Sequence, residues 1–284
     1  MNQSDLVSIL IPLYNKEKYI VDTLTSIDRQ ITYGKFSIEV IIVDDKSTDN
    51  SLELVKDFEW KNPNITRVDI ISNQENVGPA VTFNTALDLS KGNFIIPFDA
   101  DDLMTRKGAY FRYLELISDA SADWVSGDVL VMNDEGYFRS GKENVLNENE
   151  YRNYTRDEVI EGVLASKFPI SAQSVMIRRE AAVRTRWINT IRSSQDTGMW
   201  LSLAANGYVL KKIEHYVAIY RSRAGHPEQG GLFGESIISG QKVRDFENMK
   251  VQLQDFLNDY QLSLLDAIIL HFRNHRYLEK VKSI

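Results

Sequence analysis

Apolar residues in the first half of the chain gather into four short runs. These are Val7–Leu13 (VSILIPL), Ile38–Val43 (IEVIIV), Arg67–Ile71 and Asn93–Phe98, and a stretch with helical spacing follows each. Short, β-rich apolar runs read as strands buried on both faces. After the first, Ile20, Leu24, Ile27 and Ile31 recur at steps of four, three and four, which is one helix face. Leu52, Val55 and Phe58 mark a second helix behind DDKSTDNS, a segment rich in capping residues. NVGPA opens a third helix through Leu89, with Pro79 near a first-turn position. Thr105–Ile117 is the fourth. Strand and helix alternating in this way predict an α/β layer with a parallel sheet and right-handed crossovers.

The second half is less regular. Trp124–Met132 and Ser174–Ile177 read as strands, and Asp196–Ala205 as a helix. Val209–Ile213 and Val217–Tyr220 read as an antiparallel pair, and polar Asn133–Arg156 as a loop or insertion. The glycines of RAGHPEQGGLFG (223–234) mark a flexible joint. Beyond it Val243, Phe246, Met249, Leu253 and Phe256 form a helical stripe, and Leu262–Phe272 is densely apolar. That stripe offers a face for self-packing or for a homodimer.

With 284 residues, 43% of them hydrophobic, the chain supports a real core. A net charge of −7 argues against nucleic acid as the main partner. There is no cysteine, so thiolate chemistry and disulfides are excluded. Four histidines, at 215, 226, 271 and 275, are too scattered for a His-rich zinc site. The N-terminal stretch lacks a basic region and a long apolar run, and nothing approaches the ~20 apolar residues of a membrane span. A cytoplasmic protein is expected, with peripheral attachment to the inner face of a membrane left open.

Ligands of a parallel α/β sheet bind at the carboxyl ends of its strands. Here all four ends are polar: Pro12-Leu13-Tyr14-Asn15, then Asp44-Asp45 with Ser47 and Asp49, then Asn76-Val77-Gly78, then Asp99-Ala100-Asp101-Asp102. Carboxylates without histidine or cysteine suit a hard divalent cation, Mg²⁺ or Mn²⁺. Carboxylates also accept from ribose hydroxyls. An acidic rim with one metal therefore reads as a site for a nucleotide diphosphate. Crowded FDADD needs a positive charge, from a basic side chain or from the metal, unless it is only a solvated turn.

VSILIPLYNKEKYI, VIIVDDKSTDNS, NVG and FDADD, in this order and each after its own strand, resemble the nucleotide-sugar half of family-two glycosyltransferases, over about residues 1–130. The likeness continues more loosely to about Arg223 through SVMIRRE and SSQDTGMWLSL. It implies a GT-A fold: a Rossmann-like mixed, mainly parallel sheet flanked by helices. It also implies a domain over 1–225, with a nucleotide-sugar half (1–130) and an acceptor half (131–225), and a C-terminal helical extension over 226–284. The implied reaction is inverting transfer from a UDP-sugar to a hydroxyl of a glycan or lipid-linked acceptor.

Carried over residue by residue, the resemblance puts Pro12, Tyr14 and Asn15 in the base pocket, with Glu17 near them. Asp44 holds the nucleobase edge, and Asp45 and Ser47 support that loop. Asn76, Gly78 and Asn84 join the nucleotide-binding set, Asp99 takes the ribose side, and Asp101 ligates the metal. Asp196 is the general base. Three departures stand out. Gln195 replaces a usual glutamate, Thr82-Phe83-Asn84 lacks an expected arginine, and the nearest histidine after Tyr220-Arg221 is His226.

Plainer readings compete. Asp49 caps a helix; Asp102 is either a cap or a metal contact; Asp196 is either an N-cap or the base. Asn76 and Gly78 serve a turn, Trp200 sits in the core or under a sugar, and Arg178, Arg179, Arg184 and Arg186 form a solvated face or meet an anionic acceptor. A response-receiver domain needs an acidic pair after its first strand, where this chain has PLYN. A nucleotidyltransferase needs a Gly-rich basic loop, which KEKYI is not. A nucleotide-sugar-binding protein without turnover fits a chain that keeps the first half and loses the base.

Overall fold

A computed structural model of the protein describes residues 5–138, 145–146, 150–165, 170–222 and 241–282. Its centre is a ten-stranded mixed sheet. Strands β1 (Asp5–Leu13), β2 (Phe36–Asp44), β3 (Ile65–Ser72) and β4 (Phe94–Pro97) are mutually parallel, in the order β3-β2-β1-β4. Helices α1 (Ile20–Asp28), α2 (Ser51–Lys56) and α3 (Pro79–Leu89) connect them. The short β5 (Leu103–Met104) and α4 (Gly108–Ser118) lead into β6 (Trp124–Met132).

The second half folds back on this frame. It carries β7 (Val145–Leu146), β8 (Asn153–Tyr154), α5 (Arg156–Leu164), β9 (Val175–Arg178), α6 (Arg179–Thr185), α7 (Gln195–Ala205) and β10 (Leu210–Arg221). Strand β9 lies antiparallel between β4 and β6, and β10 runs parallel to β6. Both β6 and β10 therefore end on the same rim as β1 to β4. Helices α8 (Gln241–Leu253) and α9 (Asp259–Lys282) follow.

Side chains of successive strand residues leave on opposite faces, and both faces are covered. Val7, Ile9, Ile11 and Leu13 of β1 pack with Ile20, Leu24 and Ile27 of α1 and with Tyr113 and Leu116 of α4. Leu10 and the neighbouring Ile41 and Val43 of β2 point the other way, to Phe83 of α3 and Leu201 of α7. This double burial explains why the strands read as continuous apolar runs. Val243, Phe246, Met249, Leu253, Leu265 and Ile269 of the two last helices belong to the second of these clusters. The C-terminal stripe thus packs on its own chain. Phe256 is the exception: α8 stops at Leu253, leaving Phe256 exposed, and Leu257 takes the buried place.

Three elements differ from the sequence reading. The expected antiparallel pair over 209–220 is one strand, β10. Its polar interior, Glu214-His215-Tyr216, is absorbed as a bulge where the pairing with β6 shifts register, because it contains none of the glycine, proline or asparagine that a reversal would need. Residues 150–156 are not all loop, since β8 pairs with β10. Helix α5 was signalled by T-R-D-E: Thr155 accepts from the Glu158 N–H while the Glu158 side chain caps the Thr155 N–H, a reciprocal pair visible in the sequence. The glycine-rich joint at 223–234 lies outside the described residues.

Candidate active site

The carboxyl ends of β1 and β2 are laced together. Leu13 is in register with Asp44, so the loops that follow sit side by side. Asn15, at φ 51°, donates its N–H to Ser47 Oγ (3.1 Å), and its Oδ1 accepts from the Thr48 N–H (2.8 Å). Glu17 Oε2 accepts from the N–H and Nδ2 of Asn50 (3.0 and 2.9 Å), while the Glu17 N–H donates to Asp49 Oδ2 (3.1 Å). Asp49 also accepts from the Ser51 N–H at the start of α2, although the N-cap position itself belongs to Asn50. Asn15, Glu17 and Ser47 thus shape the rim, and Tyr14 stands beside them with its ring exposed. Pro12 lies one pair inside, opposite Val43.

Asp44, the last residue of β2, and Asp45 just beyond it are both buried, with different partners. Asp44 accepts from the Ser47 N–H (3.1 Å) and the Ser72 hydroxyl (2.8 Å). Asp45 accepts from Asn73 Nδ2 (2.9 Å) and from the backbone N–H groups of Val77 (2.9 Å) and Gly78 (2.8 Å), fixing the loop that carries Asn76. Gly78 sits at φ 90°, ψ 162° as the N-cap of α3, a conformation essentially confined to glycine that costs other residues on the order of 1–3 kcal/mol. Gly78→Ala should therefore lower the melting temperature by a few degrees, and calorimetry showing no change would refute the strain.

Asn84 is a correction. Its Nδ2 donates to Trp187 O (2.8 Å) and Asn189 Oδ1 (2.6 Å), and its Oδ1 accepts from the Trp187 N–H (3.0 Å). Both donor hydrogens are spent tying α3 to residues 187–189, so Asn84 serves the scaffold rather than a ligand. Phe83, where an arginine was expected, stacks on Trp187 at 4.7 Å.

The acidic rim follows β4. Asp101 is ion-paired with Lys16 Nζ, a residue that the sequence reading passed over inside YNKEKYI. One basic side chain thus already meets FDADD. Asp99 is half-buried, and its carboxyl is pushed up to about 8 by loss of water and by the nearby charges of Asp196 and Asp101, against a lowering by Lys16. Asp102 faces inward. It accepts from the Arg221 N–H (2.8 Å) at the end of β10, its Oδ2 has no partner among the described residues, and burial raises its carboxyl well above the usual range. It does not cap α4, which begins at Gly108.

Asp196 comes from the other half of the chain, in the first turn of α7. Its charge helps raise the Asp99 carboxyl, and the loop before it packs on the Gly78 loop, where an added Cβ would stand 3.6 Å from Arg192, so the two halves meet at one rim. Burial pushes its carboxyl up to about 6, offset by the Ala172 N–H and by Lys242 of α8. Its Oδ1 is buried with no hydrogen-bond partner among the described residues. It is not an N-cap: that position belongs to Ser194. Buried polar atoms are nearly always satisfied, so such an orphan needs a reason. His226 lies outside the described residues.

Other side chains settle as structure. Trp200 is core, stacked on Trp124 at 5.4 Å with its Nε1 donating to Ile170 O (2.9 Å). The arginine cluster is spent locally: Arg178 on the carbonyls of Ala122 and Leu116, Arg179 on Ser90, Arg184 on Glu180 and Arg186 on Asp88.

Two sets of facts bear on a cation. Asp99 is repelled by both Asp101 and Asp196, a cost that a bound cation relieves. Among the described residues no three His, Cys, Asp or Glu side chains form a ready metal cage.

Residues 8–185 match the model of glycosyl transferase family 2, and the chain belongs to that family. It is a glycosyltransferase with a GT-A fold. It is 29% identical over 220 residues to the putative teichuronic acid biosynthesis glycosyltransferase TuaG of Bacillus subtilis, covering 78% of this chain and 80% of that protein. A poly(ribitol-phosphate) beta-N-acetylglucosaminyltransferase, TarS of Staphylococcus aureus, is 33% identical over 132 residues, 45% of this chain but 21% of TarS. A crystal structure of TarS 1–349 with UDP-GlcNAc superposes with a TM-score of 0.65 at 18% identity, covering 95% of this chain and 72% of that one. The mannosyltransferase PcManGT of Pyrobaculum calidifontis, solved with GDP-Man and Mn²⁺, gives 0.60 at 17% identity over 99% and 80%. Among the described residues no helix is long and apolar enough to cross a membrane.

Proposed function

We propose that the chain moves a sugar from a UDP-sugar to a hydroxyl of a glycan or lipid-linked acceptor, inverting the anomeric centre, with Asp196 as general base. The observation that carries this is Asp196, half-buried but with one buried, unpartnered oxygen, whose charge acts on the donor-side Asp99 across the two halves of the chain. A base must be poised near the working pH and free to take a proton. A carboxylate raised to about 6 meets the first requirement, and its orphan Oδ1 the second.

In this reading residues 1–130 bind the donor. Tyr14 and the Asn15–Ser47 lacing border the base, Asp44 and Asp45 hold the loops around it, and Asp99 faces the ribose. Asp101 holds the cation, Mn²⁺ or Mg²⁺, which when bound stabilises charge on the departing diphosphate. Lys16, already beside Asp101, is placed to follow that charge. Residues 131–225 present the acceptor, whose hydroxyl gives its proton to Asp196 as it attacks from the opposite face of the sugar. TarS crystallised with UDP-GlcNAc supports a UDP-sugar, and the naming of TuaG supports a polymer-building acceptor.

UDP with Mn²⁺ should raise the melting temperature, and UDP in excess chelator should not, because a ligand that binds only the native state stabilises it. The acidic rim repels a bare diphosphate. Equal stabilisation in chelator would remove the cation from the reading. Nucleotide release from a panel of nucleotide-sugars then identifies the donor.

A further inference from the structure

The segment entering α7 is held from outside the matched family region, by the first of the two C-terminal helices. Asp245 of α8 is fully buried. Its carboxylate accepts from the backbone N–H groups of Arg192 (3.2 Å) and Ser193 (2.8 Å), from the Ser193 hydroxyl (2.6 Å) and from Gln241 Nε2 (2.7 Å). One turn back, Lys242, 7% exposed, donates to Ser193 O (3.1 Å) and Ser194 Oγ (2.7 Å). Asn248 donates to Thr190 O (3.3 Å).

The packing beneath is equally close. A Cβ on Gly198 of α7 would stand 2.7 Å from the Ile191 side-chain end, which would have to shift, and 3.8 Å from Met249 of α8, an ordinary packing contact. The same segment reaches the donor rim, since a Cβ on Gly78 would stand 3.6 Å from Arg192 Cγ.

This arrangement breaks a local rule. Ser194 is the N-cap of α7, yet its side chain makes no capping bond. It faces Lys242 instead. A serine cap is typically worth about 1 kcal/mol. Two buried charges are also costly to place unless each is well paired. Sequences that depart from local preference in this way tend to do so at functional sites. Asp196 is two residues beyond Ser194, and nothing among the described residues holds its Oδ1. The Ala172 N–H meets its carboxyl, and the backbone that leads into it, Arg192–Ser194, is held by α8.

We infer that Asp245 and Lys242 are positioning residues of the transfer site: by clamping Arg192–Ser194 they hold Asp196 at the donor rim. This rests on the reading of Asp196 as the base. Asp245 acts through the backbone it holds; Lys242 holds the same backbone, and its charge also acts on the Asp196 carboxyl. The clamp supplies rigidity, which matters because a displacement of about 1 Å can cost roughly 10²-fold in rate.

The test is a cycle. Asp245→Asn, Lys242→Met, Asp196→Asn and the two doubles with Asp196→Asn are compared. Product is measured per folded molecule at saturating donor and acceptor, alongside UDP affinity with Mn²⁺ and melting temperature. Asp245→Asn should lower turnover by roughly 10- to 100-fold, with UDP affinity far less affected. In the Asp196→Asn background the same change should add almost nothing, because residues acting as one unit are non-additive. A merely structural role would not show that cancellation. Lys242→Met carries the same cycle should Asp245→Asn not fold. Normal turnover of a folded clamp variant, or an equal loss in both backgrounds, overturns the clamp. Normal turnover of Asp196→Asn alone overturns the base reading, and the clamp with it.

Discussion

Asp196→Asn should reduce transfer by roughly 10²–10⁴-fold while leaving UDP affinity with Mn²⁺ close to that of the parent, since a general base contributes about that much to rate. The amide keeps the size of the side chain and cannot take the acceptor proton. No cap is lost, because Ser194 holds the N-cap position. The measurement is product per folded enzyme at saturating substrates, with donor affinity determined separately. Turnover near the parent value would eliminate Asp196 as the base.

The same variant has a stability signature. Burial raises the Asp196 carboxyl to about 6 in the folded chain, above an unfolded value of ~3.9. The folded state then binds more protons than the unfolded state between those values, so this group removes stability as pH rises through that window, and the full penalty is present above it. Asparagine carries no such penalty. The melting temperature of the variant relative to the parent should therefore be more favourable at pH 7.5 than at pH 5. Lys242 keeps Asp245, its larger charge partner, so it is not stranded. A residue kept for chemistry at the expense of stability shows this pairing of gain and loss. A difference independent of pH would mean that Asp196 does not titrate as inferred.

How much of this was legible in the sequence follows from how local each signal is. The parallel half could be read because doubly buried strands and polar strand ends are properties of single segments, as in Val7–Leu13 and FDADD. Asp196 was legible as a candidate, but its meeting with Asp99 was not, since that depends on β9 inserting between β4 and β6. Lys16 was missed because a lysine in a polar loop looks like any solvated lysine until the partner is known. Asn84 was misplaced because an asparagine beside a recognised motif resembles a ligand contact. Only the fold shows that Trp187 and Asn189 consume its amide. The clamp of Asp245 and Lys242 spans about fifty residues of chain, and each alone reads as a charge on an ordinary helix face. Helix α5 was readable from its capping box and was overlooked.

The neighbouring carboxylates Asp101 and Asp102 should separate sharply on substitution. Asp101→Asn should lower Mn²⁺-dependent kcat/KM by on the order of 10² or more, since Lewis-acid stabilisation of developing charge is worth several kcal/mol. Asp102→Asn should change it little. Asp101 is part-exposed and ion-paired to Lys16, a geometry in which a cation can displace or join the lysine. Asp102 is buried, its Oδ1 is committed to the Arg221 N–H, and loss of water holds its carboxyl well above the usual range, toward the protonated form. An amide is close to a protonated carboxyl in size and hydrogen-bonding capacity, so the exchange leaves the end of β10 in place. Calorimetric titration of UDP with Mn²⁺ into each folded variant separates binding from turnover. Lost cation dependence in Asp102→Asn with a normal melting curve would reverse the assignment. Equal losses in both would point to a cation shared between the two carboxylates. The expected pattern instead leaves Asp101 as the one of the pair that meets the diphosphate and Asp102 as the buried anchor that joins the end of β4 to the end of β10.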